Sequence, residues 1–295
     1  MPTVELAMGR KGDLLALVDG APGGLRTLQA ALTTWSHRVL VAEVHRRSDL
    51  AAAEADAGVG NGGRGESDGD AGEPPVLRPA GALEAPDATE SLATAYVVVS
   101  LPDRWRVVGR GHLAVSDGRR SWAGTSTLVT EREATRSAIF DAGAIGACLY
   151  PGTLLRRLDF GEPEVRDVEG RPVWYVEGGP RRPAPGATPT KARRVDLRLQ
   201  RELVGIDHRI WFDADTGIVL RHEGFVDGEP CSTTSLTDLV FGEPVSDAEF
   251  RPPPGAVVRS RHELLRDHLA AMGIDPDTVD LDDPAQVREA LRQGG

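Results

Sequence analysis

Seven histidines and two cysteines are the side chains most able to do chemistry, and their spacing argues against most of it. His37, His45, His112, His208, His222, His262 and His268 include no H-E-x-x-H pair. His262 and His268 are six residues apart and do not share a helix face. Cys148 and Cys231 lack C-x-x-C partners and read as small core residues rather than nucleophiles. Gly60-Asn61-Gly62-Gly63-Arg64-Gly65 satisfies G-x-G-x-x-G, but a dinucleotide loop joins a strand to a helix, and both flanks here read as coil. Asp213-Ala214-Asp215-Thr216-Gly217 carries the Asp-x-Asp of a calcium loop. The glycine and glutamate that such a loop needs at positions 6 and 12 are Ile218 and Gly224, so a hairpin turn is expected. Asp275, Asp277, Asp280, Asp282 and Asp283 read as a solvated acidic linker. No G-x-S-x-G elbow and no glycine-lysine phosphate loop is present. One acid–base arrangement stays open, His208 beside Glu223 on facing strands. The expectation is a protein without catalytic activity, cofactor or metal.

Composition narrows the partners. The 295 residues carry a formal charge of -11, and nucleic-acid binding needs a basic face to displace counterions, so no nucleic-acid partner is expected. Much of the charge is local: Ala51 to Leu92 holds nine acidic residues against Arg64 and Arg78. Two distant cysteines fit a reducing compartment. Met1 to Ala30 lacks the basic start and apolar core of a signal peptide, and no run approaches the roughly 18 apolar residues of a membrane span. A cytoplasmic location is expected. Arg181, Arg182, Lys191, Arg193 and Arg194 surround a Pro/Gly loop that reads as solvated, with an anionic partner or the chain's own acidic segment as alternatives.

The elements that would hold these side chains follow from periodicity. Leu25, Leu28, Leu32 and Trp35 make an apolar helical stripe, started by Pro22-Gly23-Gly24. His37 to Arg47 then reads as a strand, with a continued helix as the alternative. Asp56 to Ala88 is too polar to bury a core and reads as a disordered insertion. Short strands follow at Ala95–Leu101, Arg104–Val108, Gly111–Val115, Arg120–Ala123 and Thr125–Val129, with Asp117-Gly118 a hairpin turn. Glu131 to Leu158 reads as helical in pieces. Val165–Val168 and Val173–Glu177 come next, then Val195–Glu202, Asp207–Asp213, Ile218–Val226 and Cys231–Phe241, the last two joined by Asp227-Gly228. Ser260-x-x-Glu263 is a capping box opening a helix, and Asp283-Pro284 opens another. The class is α+β, a curved antiparallel sheet covered by helices.

The order Pro102-Asp103-Arg104-Trp105, Val115-Ser116-Asp117-Gly118, Trp122, Asp215-Thr216-Gly217, Asp227-Gly228 and the ending Phe250-Arg251-Pro252-Pro253-Pro254-Gly255 resembles the LolA-type lipoprotein-carrier superfamily. That group includes outer-membrane lipoprotein carriers, mycobacterial lipid-binding lipoproteins and periplasmic regulators of envelope-stress sigma factors. The resemblance covers somewhat over half of the chain. It implies an incomplete β-barrel with helices over its mouth and an apolar interior that takes acyl chains. The expected organisation is an N-terminal segment over 1–20, the half-barrel over 21–258 with its insertion at about 56–88, and a C-terminal helix pair over 259–295.

The residues expected to line such an interior are Trp105, Leu113, Val115, Trp122, Trp174, Leu197, Leu199, Ile210, Phe212 and Leu220. Alternation puts Leu113 with Val115, Leu197 with Leu199, and Ile210 with Phe212 on common faces. A packed core and an empty pocket share that signature. Two functions follow as expectations. The first is a non-catalytic protein binding a lipid or other apolar ligand. The alternative is a regulatory or scaffold protein that meets a protein partner through its acidic insertion or its C-terminal helices.

Overall fold

A computed structural model describes residues 11–57, 89–133, 143–156, 158–180 and 203–293. They form one 13-stranded sheet that stays open, an incomplete barrel with helices against it, and the fold is α+β. In chain order the elements are α1 (Lys11–Gly24), β1 (Thr27–His37), α2 (Arg38–Ala57), β2 (Glu90–Ser100), β3 (Arg104–Gly109), β4 (His112–Asp117), β5 (Arg120–Gly124) and β6 (Leu128–Glu133). Then come α3 (Ala144–Leu149), α4 (Gly152–Leu155), β7 (Leu158–Phe160), β8 (Glu164–Val168), β9 (Arg171–Pro180), β10 (Asp207–Asp213), β11 (Val219–Val226) and β12 (Glu229–Phe241). A 3-10 turn (Asp247–Phe250), β13 (Val257–Ser260), α5 (Arg261–Ala271) and α6 (Pro284–Gln293) close the chain. The sheet runs β13-β6-β5-β4-β3-β2-β1-β12-β11-β10-β9-β7, with β8 also on β9. The ladders are antiparallel except β13 on β6, which is parallel.

The first helix and strand are exchanged relative to expectation. Leu25 to Trp35 is not a helix; most of it is β1, the strand that joins the two halves of the sheet. Leu28, Ala30 and Leu32 are buried at alternate positions, and threonines with Trp35 fill the rest of the strand, as β-branched and aromatic residues favour. The helical stripe lies one element earlier, where Leu14, Val18 and Ala21 recur at four and three residues on α1. His37 to Arg47, expected as a strand, belongs from Arg38 onward to α2. At that junction Arg38 N–H donates to the Thr89 carbonyl at 2.8 Å. α2 takes in Asp56 and Ala57; residues 58–88, the bulk of the expected insertion, lie outside the described residues. So does the strand expected at Val195–Glu202.

The hairpins fall where the turn chemistry puts them. Asp227 and Gly228 adopt φ of 52° and 83°, the pair of left-handed residues that a tight hairpin demands. Asp213 builds the turn after β10: its Oδ1 accepts from the N–H groups of Asp215 and Thr216 and from Thr216 Oγ1, and its Oδ2 takes Arg171 at 2.5 Å. The capping box opens α5, with Ser260 Oγ accepting from Glu263 N–H and Glu263 Oε2 accepting from Ser260 N–H. Most of the acidic stretch after α5 is used locally. Asp275, Asp280 and Asp283 accept from backbone N–H groups, Asp277 pairs with Arg266, and Asp282 lies 3.1 Å from His262. Among the described residues no helix is long and apolar enough to cross a membrane.

Candidate functional site: the inner face of the sheet

The two faces of the sheet have different fates. On the inner face Leu28, Leu32, Val97, Val99, Trp105, Trp174, Val176, Ile210, Phe212 and Val219 meet one apolar cluster supplied by α1, α3 and α4. Ile145, Cys148 and Leu149 of α3 and Leu155 of α4 are fully buried in it. α1 is held across that cluster by Asp19 on Arg156 at 2.5 Å and by Lys11 Nζ on the Phe160 carbonyl at 2.7 Å. Two shallow clefts border α1, of about 420 Å³ beside Leu25, Arg26 and Pro102 and about 290 Å³ beside Leu17 and Thr216. Beneath the helices the described inner-face residues are buried.

The outer face of β3–β6 carries a second cluster of Leu113, Val115, Trp122 and Val129, with Val108 against it. The chain that follows β12 runs over that face. Arg106, whose cross-strand partner is Val115, donates to the Glu249 and Arg251 carbonyls. Phe250 is fully buried there, with the Arg104 guanidinium 4.9 Å from its ring centre.

The residues expected to line one interior therefore divide. Trp105, Trp174, Ile210 and Phe212 share the inner face, and Leu220 packs there half-buried. Leu113, Val115 and Trp122 share the outer face. Leu197 and Leu199 lie outside the described residues. Alternation grouped neighbours on one strand correctly, but the face that each group shared depended on cross-strand pairing.

The inner face changes character toward α2. Cross-strand pairing sets Val176, Ile210, His222, Thr234, Thr34 and Ala93 in one row, and Gly178, His208, Gly224, Ser232 and Ser36 in the next. His208, His222, Ser232 and Thr234 are all buried. His208 Nδ1 lies 2.8 Å from His222 Nε2, one ring donating and the other accepting, with ring centres 5.1 Å apart. Burial holds the His208 ring down to about 4, and burial with the neighbouring ring holds His222 well below its ordinary value. Among the described residues His222 Nδ1 is buried with no partner. Residues 203–206 cross above. The Val204 carbonyl accepts from Ser232 Oγ and Cys231 Sγ, and Val204 joins Val44 of α2, Val226 and Cys231 in a small apolar cluster. Gly224 is required beneath it, since a Cβ there would stand 1.7 Å from the Val204 oxygen.

The pairing left open in the sequence is not His208 with Glu223. Glu223 is opposite Arg209 on the outer face and is bonded to Arg221, whereas His208 meets His222. The histidine pair was missed, although a signal existed: His208 has the same parity as Ile210 and Phe212. Among the described residues no three histidines, cysteines or carboxylates gather as a metal site needs.

The chain is similar in fold to LolA-superfamily structures. MucB is 13% identical at a TM-score of 0.40; the match covers 84% of this chain but only 64% of MucB. A LolA superfamily protein from Nitrosomonas europaea is 10% identical at 0.30, over 82% of this chain and 98% of that one. A putative outer membrane lipoprotein-sorting protein domain from Vibrio parahaemolyticus is 8% identical at 0.29, over 81% and 95%. No family model matches the sequence, and no curated protein matches it. The cytoplasmic expectation is withdrawn: the similar structures are of LolA-superfamily and outer membrane lipoprotein-sorting proteins.

Proposed function

We propose that the chain is a binding protein that acts through contact with another polypeptide. The burial of the inner face under α1, α3 and α4 carries this reading. Where an apolar ligand would lie against Leu28, Ile210 and Phe212, the side chains of Ile145, Leu149 and Leu155 already lie. The C-terminal helices already bury Leu269, Val287 and Ala290, and the acidic segment before β2 is taken as the region that meets the partner. Its excess of carboxylates suits a basic surface. The test compares co-purification from the native host of the intact chain and of a chain lacking Glu66–Asp87. A stoichiometric partner held by the first and lost by the second is expected; equal recovery by both ends the proposal.

A second reading has its own observation. On the inner face of β3–β6 and β13 the small Gly109, Ala114 and Ala123 lie beside Val107 and His112, and Leu128 and Val257 stand 43% and 54% exposed. An acyl chain laid along that trough would gain about 0.8 kcal/mol per buried methylene. Native mass spectrometry and titration with a fluorescent fatty acid test it, with Leu128→Asp expected to abolish uptake. No bound lipid and no fluorescence change would exclude it.

A further inference from the structure

We propose that His208 and His222 form a proton-operated switch that fixes residues 203–206 on the inner face at neutral pH and releases them in acid. The pair sits on adjacent strands, buried, with Nδ1 and Nε2 2.8 Å apart. Such a bond needs one N–H and one lone pair. A first added proton leaves an imidazolium donating to an imidazole. A second leaves two N–H groups and two charges facing each other, and the contact cannot persist.

Among the described residues the surroundings supply no counter-charge. β9 presents Val176 and Gly178, β12 presents Ser232, Thr234 and the Cys231 thiol, and β1 presents Thr34 and Ser36. The covering segment presents Leu203 and Val204, neither ionisable. α2, resting on Val204, brings His45, Glu43, Arg46 and Arg47; Glu43 is engaged by both arginines, and Arg47 also by Asp227. Water must therefore reach the rings before both can charge. The segment over them is held by the Val204 carbonyl, which accepts from Ser232 Oγ and Cys231 Sγ, and by Ile206 N–H on the Phe225 carbonyl at 2.8 Å.

The sign follows from linkage. Both rings are harder to protonate folded than open, so the closed state is favoured above about pH 6.5, the ordinary histidine value, and loses ground as pH falls below it. Opening that takes up two protons becomes about a hundredfold more populated per pH unit there.

Hydrogen exchange of the full chain between pH 7.5 and 4.5, corrected for intrinsic rates, reads this at Ile206. Leu101 N–H, bonded to the Arg26 carbonyl far from the pair, serves as reference. Ile206 is expected to lose protection at about that slope while Leu101 keeps it, and His208→Phe/His222→Phe is expected to flatten the profile. A flat wild-type profile, an equal loss at Leu101, or an unchanged slope in the double variant would overturn the proposal. If the double variant does not fold, NMR titration of the wild-type imidazoles decides. Joint protonation with loss of Ile206 protection upholds the switch. Separate titration near pH 6.5 with Ile206 still protected overturns it.

Discussion

Arg47 of α2 grips Asp227 at the tip of the β11–β12 hairpin with both ends of its guanidinium, Nη1 to Oδ1 at 2.9 Å and Nη2 to Oδ2 at 2.6 Å. Glu43, one helical turn back, holds the same guanidinium through Nε at 2.6 Å. The pair ties a helix otherwise seated on a small apolar patch to the rim of the sheet, and it stands in solvent, where salt weakens it. Arg47→Ala is expected to speed hydrogen exchange along α2 while the global denaturation midpoint hardly moves. The wild-type α2 should exchange faster at 1 M salt, and the variant should not respond. The arginines hold Glu43 down to about 2 and Asp227 below its usual range, so this tether is complete above pH 4.5 and fails only as pH falls toward 2. Loss of α2 protection near neutrality would contradict that order.

Gly224 predicts a different failure. Any side chain there meets the Val204 carbonyl and Ser232 Oγ. Gly224→Ala should cost about 1–3 kcal/mol of stability by chemical denaturation and should release Ile206 at neutral pH. Gly228→Ala, in open space but at φ of 83°, tests backbone strain alone and should leave Ile206 protected.

Phe250 closes the outer cluster at a distance in sequence. Phe250→Ala should cost about 3–5 kcal/mol in urea unfolding, and the emission of Trp122 should shift to longer wavelength as water reaches it. Phe212→Ala, on the other face, should cost a similar amount and leave Trp122 shielded.

Burial pushes the Cys148 thiol up to about 12 and raises Cys231 as well. A thiol reagent at pH 8 is expected to label neither residue in the native chain and both in denaturant. Fast native labelling at Cys231 would show that the cover formed by residues 203–206 is open at that pH.

Local chemistry was legible in the sequence where it is self-contained. Asp227-Gly228, Ser260 with Glu263, and the alternation of Ile210 with Phe212 each specify their structure within a few residues. Leu25, Leu28, Leu32 and Trp35 misled because a helical spacing is also available to residues of one strand and the link before it: Leu25, Leu28 and Leu32 join the inner cluster, while Trp35 faces outward toward Leu92 and Glu90. β13 was invisible for a different reason. Four residues pairing in parallel with a strand more than a hundred positions earlier leave no local periodicity to read. The histidine pair required parity to be carried across a turn, and the division of the tryptophans between faces required knowing which strand lies beside which.

The parallel seam between β13 and β6 has a consequence for synthesis. Leu113, Val115, Trp122 and Val129 leave the ribosome long before Phe250 and Val257, which shield and border them. A nascent chain thus carries a bare greasy patch for much of its translation, and a truncated product would keep it, presenting chaperones and proteases with a mark that the finished molecule conceals.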